Sequence, residues 1–234
     1  MTSSSHCHAN GTALAFPLHR SNVAAMLEIF IPAFVMLFVT IDPVSIIPIF
    51  VSLTAGATRG QKIRMALMGC LIAALLLIIF GVIGERLLDN FGITLPAFRI
   101  AGGVLLFLIA LEMLFSRRND RKSKSAEEIH DHYEPEDISV FPLAIPLLCG
   151  PGAIASIMLL TAAQAGNLAG QAVVMGAGVA VMAIGAVLLV TAARFDHFIP
   201  ETISNIITRL LGMLLAALAI QFILDGLLAA LPIG

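Results

Sequence analysis

The 234-residue chain is 59% hydrophobic and 12% charged, with 13 Lys and Arg against 15 Asp and Glu and a mean hydropathy of +1.00. A soluble domain carries about 25% charged residues and needs polar surface to face water, so this composition excludes a soluble enzyme and a disordered chain. A net charge of −2 with no basic face gives nothing for a nucleic-acid backbone to bind.

The chain opens on a polar stretch, Met1–Val23, holding Ser3–Ser5 and His6-Cys7-His8. It shows no signal-peptide cleavage site and reads as a disordered tail. His6 and His8, like His130 and His132 further on, lack companion ligands, so solvated histidines are the default and a metal role is the weaker alternative. Apolar runs of about 20 residues then follow, the length that crosses a hydrocarbon core about 30 Å thick as a helix. Six spans are predicted, at about 28–53, 65–84, 99–115, 139–163, 172–193 and 209–231. The fourth and fifth share an uncharged stretch from Ile138 to Ala193, divided by a turn at Gln164–Gln171. Continuous Leu, Ile and Ala runs lack the alternation of barrel strands, so helices are expected. Cys7, Cys70 and Cys149 show no paired spacing and read as small apolar residues.

Twelve of the charged residues fall in Arg117–Asp137, a loop between the third and fourth spans. Loops one, three and five together carry ten Lys and Arg, against three on the opposite side. Basic residues accumulate in cytoplasmic loops. Both termini are therefore expected on the periplasmic side, with the protein multi-pass in a bacterial inner membrane.

An internal repeat is visible. Phe38-Val-Thr-Ile-Asp-Pro43-Val-Ser-Ile-Ile-Pro48 lies on Phe141-Pro-Leu-Ala-Ile-Pro146-Leu-Leu-Cys-Gly-Pro151 at an offset of 103. Arg99-Ile-Ala-Gly102 lies on Arg209-Leu-Leu-Gly212 at an offset of 110. The expected fold is an all-α polytopic bundle: a tail (1–25), three spans (26–115), a charged cytoplasmic loop (116–138) and three more spans (139–234). Three spans per half force the halves into opposite orientations, the inverted plan of many secondary transporters. Chance similarity between apolar segments is the competing account, because Pro and Gly are common in membrane helices.

Each half begins with an interrupted span. Pro43 and Pro48 cannot donate backbone hydrogen bonds and would crowd the carbonyls of Val39 and Val44 in a continuous helix. Pro146, Gly150, Pro151 and Gly152 interrupt the second half more severely. Freed carbonyls can coordinate a cation, and freed amides at a half-helix N-terminus can hold a carboxylate. Asp42 falls near mid-depth, where an ionised carboxylate costs about 2.5–3.5 kcal/mol on insertion scales. It can bind a substrate ammonium, carry a coupling proton or help hold Na⁺. Capping the second half-helix just before Pro43 is the plainer role, and the two are compatible.

Thr40 and Ser45 offer hydroxyls beside the break. Gln221 is deep enough for an inward hydrogen-bonding role. Glu112 and Asp225 are secondary candidates, the first read as snorkelling to the interface and the second as solvated. Arg99 and Arg209 read as interfacial anchors. Gly176, Gly178, Ala180, Ala183 and Gly185 suggest a close-packing face on the fifth span.

Ile41-Asp-Pro-Val-Ser-Ile-Ile-Pro-Ile-Phe50, Phe98-Arg-Ile-Ala-Gly-Gly103, Pro142-Leu-Ala-Ile-Pro-Leu-Leu-Cys-Gly-Pro-Gly152 and Gln221-Phe-Ile-Leu-Asp-Gly226 resemble the MarC family of bacterial inner-membrane proteins. The resemblance covers about residues 26–231. It implies six spans and a grouping with neutral amino acid transporters. The tail and the long charged loop are less typical of that family.

The leading expectation is a secondary transporter of small neutral amino acids, with lipid and a small-molecule substrate as partners. No cofactor is expected beyond a coupling ion, H⁺ or Na⁺, and the sequence leaves oligomeric state open. There is no phosphate-binding G-x₄-G-K-[ST] run to imply ATP. There is no His-Glu-x-x-His and no second aspartate for an intramembrane catalytic dyad, so no catalytic residue is assigned. A drug or metabolite exporter, and a membrane protein without transport activity, are the alternatives.

Overall fold

The computed structural model describes residues 22–115, 139–194 and 201–231, and the described residues contain helices and turns but no strand. The tail with His6, Cys7 and His8, and the charged loop with His130 and His132, lie outside them. The helices are α1 (Asn22–Ile41), α2 (Pro43–Leu53), α3 (Arg59–Asn90), α4 (Leu95–Leu114), α5 (Ser139–Leu148), α6 (Pro151–Ala162), α7 (Leu168–Arg194) and α8 (Glu201–Ala230). Among the described residues, five stretches are long and apolar enough to cross a membrane, the first being α1 and α2 taken together as Ala24–Leu53. The predicted fourth span is instead the short pair α5 and α6.

Several helices outrun the apolar windows. α3 begins at Arg59 and ends at Asn90, beyond the predicted 65–84. Hydropathy marks where water begins, not where helical hydrogen bonding stops. Thr58 fixes the start of α3 with a capping box: its side chain accepts from the Gln61 amide, and its own amide donates to Gln61 Oε1 at 2.9 Å. Thr94 caps α4 by accepting from the Ala97 amide. The turn before α7 is where the sequence placed it, with Gly166 left-handed at φ 79° and Asn167 Oδ1 accepting from the Gly170 amide at 3.1 Å.

α5 is a π-helix. Its prolines explain the wide turn. Pro146 has no N–H for the Pro142 carbonyl and would crowd it, whereas an i+5 turn passes that carbonyl to the next amide. The pattern reaches the end of the helix, where the Cys149 amide donates to the Ala144 carbonyl at 2.9 Å.

The buried residues form two apolar clusters. One joins α1, α2, α3, α5, α6 and α7 through residues such as Leu37, Ile46, Leu77, Leu143 and Ile157. The other joins α1, α4, α6 and α8 through Met36, Val39, Leu106, Met113, Leu159 and Leu215. α1 and α6 contribute to both, so one helix from each interrupted pair stands at the centre. Large apolar side chains such as Leu71 and Leu75 of α3, Leu108 of α4, Val187 of α7 and Leu228 of α8 point outward. A water-facing protein rarely exposes apolar surface on this scale; hydrocarbon suits it.

α3 packs on α7 and α4 on α8. Both pairs run antiparallel: Gly81 faces Met175 while Gly185 faces Cys70, and Gly103 faces Ile223 while Gly226 faces Pro96. α3 also packs on α5 and α6, as α7 does on α1 and α2.

The fifth span packs closely through part of its small-residue face, and the tightest seam is between α4 and α8. On α7, Gly178 and Gly185 are buried, but Gly176 and Ala183 face outward. A Cβ on Gly176 would meet nothing within 4 Å. Gly176→Ala is therefore expected to leave the protein unchanged or raise its stability by about 0.5–1 kcal/mol, the helix-interior penalty of glycine. A thermal melt in detergent checks it.

Candidate functional site

α1 ends because Pro43 cannot continue it. The Asp42 amide still closes a helical bond to the Phe38 carbonyl at 2.9 Å, and Asp42 then turns left-handed (φ 51°, ψ 65°). It is the one non-glycine residue with positive φ among those described. Asp and Asn tolerate this region better than other side chains. Asp42 lies 18 residues from Ala24 and 11 from Leu53, well inside the span.

The Asp42 carboxylate is 0% exposed. It does not cap α2: its side chain accepts no first-turn amide, contrary to the plainer expectation. It takes hydroxyls instead. Ser45 donates to Oδ2. Thr208, brought in by α8, lies 2.7 Å from Ser45 Oγ and 3.4 Å from Oδ2. The other oxygen, Oδ1, is enclosed with no hydrogen-bond partner among the described residues. Leaving a buried acceptor unpaired costs about 1–3 kcal/mol.

Two residues upstream, Thr40 joins the two interruptions. Its hydroxyl donates to the Met36 carbonyl at 2.7 Å and accepts from Ser156 of α6 at 3.3 Å. Its methyl would lie 3.1 Å from a Cβ on Gly152, which would also overlap Ile109 Cδ1. Glycine at 152 thus lets α6 approach the end of α1. The second interruption is Cys149–Gly150, with Gly150 extended at the N-cap and Pro151 in the first turn of α6. Gly150 has no side chain to cap the Gly152 and Ala153 amides, and these have no acceptor within the helix. Pro151 is exposed, whereas Gly152 is buried.

Other expected residues fall elsewhere. Pro48 does not interrupt anything: α2 runs through it. Pro146 lies inside α5, and its side chain is outside the described residues. Gln221 does not face inward. It is exposed on α8 and donates to Asp225 Oδ1 at 2.8 Å, so neither joins Asp42. One helical turn separates them, and each satisfies the other. Glu112 does not snorkel: it is half-buried with Oε2 enclosed by protein. Cys70 and Cys149 are buried free thiols in the apolar core.

Thr208 and Ser156 were missed. An isolated hydroxyl in an apolar span is a weak sign of an interhelical hydrogen bond, and many such residues are spent locally. Thr54 and Thr161 simply donate to carbonyls of the preceding turn. Only tertiary packing separates the two kinds.

The MarC family, described as integral membrane proteins, matches residues 27–231. The chain belongs to this family. A UPF0056 membrane protein of Methanocaldococcus jannaschii is 36% identical over 206 residues, covering 86% of this chain and 88% of that one. Similar proteins occur in Bacillus subtilis (33% identity, 89% of this chain and 98% of the relative) and Escherichia coli (34%, 85% and 92%). No solved structure matches the chain.

Position 152 gives a direct check on the junction of the two interruptions. Gly152→Ala is expected to be mild, because Ile109 Cδ1 is the far end of a flexible side chain. Both substitutions press on the Thr40 methyl, 3.1 Å from the added Cβ, but Gly152→Val adds two further methyl groups there, and overpacking of this kind costs about 1–3 kcal/mol. A melting temperature clearly lower for Val than for Ala is the expected result; equal melting would show that α1 and α6 are not held at this point.

Proposed function

We propose that this MarC protein is a secondary transporter of small neutral amino acids, built as two inverted three-span halves in the cytoplasmic membrane with both termini outside. The observation that carries this reading is the meeting of two interrupted helices, through Thr40, Ser156 and Gly152, next to the fully buried Asp42. Pairs of Pro/Gly-interrupted spans in matching positions mark substrate sites in inverted-repeat transporters. The exchangeable packing of the halves supports the repeat: α3 meets α7, α4 meets α8, and each contact of α3 with α5 and α6 has a counterpart in α7 with α1 and α2.

The uncapped amides at the start of α6 suit a substrate carboxylate. Asp42 and the hydroxyls around it suit the positive end of the solute or a coupling cation.

Reconstitution in liposomes tests the reading. Labelled glycine, alanine and serine are expected to accumulate under an imposed H⁺ or Na⁺ gradient, and no uptake or exchange of any of them would overturn it. Orientation is read from cysteine labelling in intact cells. In a Cys7→Ser background, which removes the native thiol of the tail that this reading places outside, Ala165→Cys is expected to react with an impermeant maleimide, and Ser123→Cys is not. Ala165 is preferable to Gly166, whose positive φ favours glycine.

A further inference from the structure

The unpartnered Oδ1 of Asp42 leads further than a substrate contact. We propose that Asp42, Ser45 and Thr208 form a Na⁺ site clamped between α2 and α8.

The three residues are almost completely enclosed, at 0%, 0% and 2% exposure. Their donors are all oxygens, the ligands that hard cations prefer. Ser45 Oγ and Thr208 Oγ1, hydrogen-bonded at 2.7 Å, and Oδ2, 3.4 Å from Thr208, bring three oxygens to one point, and each hydroxyl keeps a lone pair after donating its proton. One carboxylate balances one positive charge, which favours a monovalent over a divalent ion. No Lys, Arg or His among the described residues pairs with this carboxylate.

A cation at Oδ1 satisfies the bare oxygen and leaves the hydroxyl bonds to Oδ2 in place.

The break also leaves a backbone carbonyl of α1 without its usual donor. Pro43 has no N–H to offer the Val39 carbonyl, and the C-terminal end of α1 carries partial negative charge toward the break. Carbonyls at an interrupted helix are suitable cation ligands. Thr208 is the ligand from α8, 163 residues beyond Ser45 in the chain. Ion occupancy would therefore tie α8 to the interrupted helix. That coupling role rests on the transport reading, whereas ion binding does not.

The test uses purified full-length protein in detergent, titrated with NaCl against KCl and choline chloride at constant ionic strength. Melting temperature and equilibrium binding of radiolabelled Na⁺ are read together. A saturable rise in melting temperature specific to Na⁺ is expected, with one ion bound per chain. Asp42→Asn should abolish the effect, Ser45→Ala and Thr208→Val should weaken binding at least tenfold, and Thr208→Ser should largely retain it. Should Asp42→Asn fail to fold, the two hydroxyl variants decide. Identical melting in Na⁺ and choline with no saturable binding overturns the site, as does wild-type affinity in both Ser45→Ala and Thr208→Val. Na⁺ binding without uptake of any amino acid upholds the site and removes the transport reading; uptake driven by H⁺ alone without Na⁺ binding does the reverse.

Discussion

Asp42→Asn is expected to lower amino acid uptake at least tenfold while leaving the protein inserted and folded. Asparagine tolerates the left-handed backbone at this position as aspartate does, and it keeps one carbonyl oxygen for the Ser45 hydroxyl. Rearranging a hydrogen bond of this kind shifts stability by about 0.5–1.5 kcal/mol. The negative charge is lost outright. Asp42→Ala is a poorer probe, because it strands two buried hydroxyls and places a side chain with no local hydrogen bonding at positive φ. Uptake into liposomes, normalised to folded protein by size-exclusion chromatography, gives the answer. Wild-type kinetics in the Asn variant would remove the carboxylate from the mechanism.

Much of this arrangement can be read from the residues themselves. Asp42-Pro43 announces both the end of α1 and a charge that must be enclosed, and Gly150-Pro151 announces the second interruption. Pro48 misleads because a membrane helix can run through a proline: the Val44 carbonyl goes without its usual donor, and α2 continues. A proline's neighbourhood, more than its presence, decides whether a helix stops. Gln221 misleads for another reason: depth can be counted along the chain, but the helix face cannot when nearly every neighbour is apolar. Satisfaction by Asp225 one turn away is cheaper than reaching the interior. Thr208 was illegible because its partner lies 163 residues away. No local pattern records that separation, although Arg209 beside it marks the second half's landmark.

Gly103→Val is expected to give the largest loss of stability of any single change considered. A Cβ at Gly103 would stand 2.8 Å from the Ala219 carbonyl oxygen and 3.1 Å from the Ile223 amide nitrogen. These are backbone atoms of α8, so no rotamer change can yield room and the helix itself must move. The same closeness recurs along the seam, with a Cβ on Gly212 3.2 Å from the Ala110 carbonyl oxygen and one on Gly226 2.9 Å from that of Pro96. Lipid removes the hydrophobic drive for helices to associate, leaving close packing to hold them together. Adding bulk where nothing can yield costs at least about 1–3 kcal/mol. Gly178→Ala is the control, since its nearest neighbours stand 3.7 Å away. The melting temperature should fall sharply for Gly103→Val and stay near wild type for Gly178→Ala; equal melting would show that α4 and α8 are not in contact here. The consequence reaches the site, because Gly212 lies one turn from Thr208. Whatever pushes α8 off α4 also draws Thr208 from Ser45, so Gly103→Ala should weaken binding at Asp42 even where the fold survives.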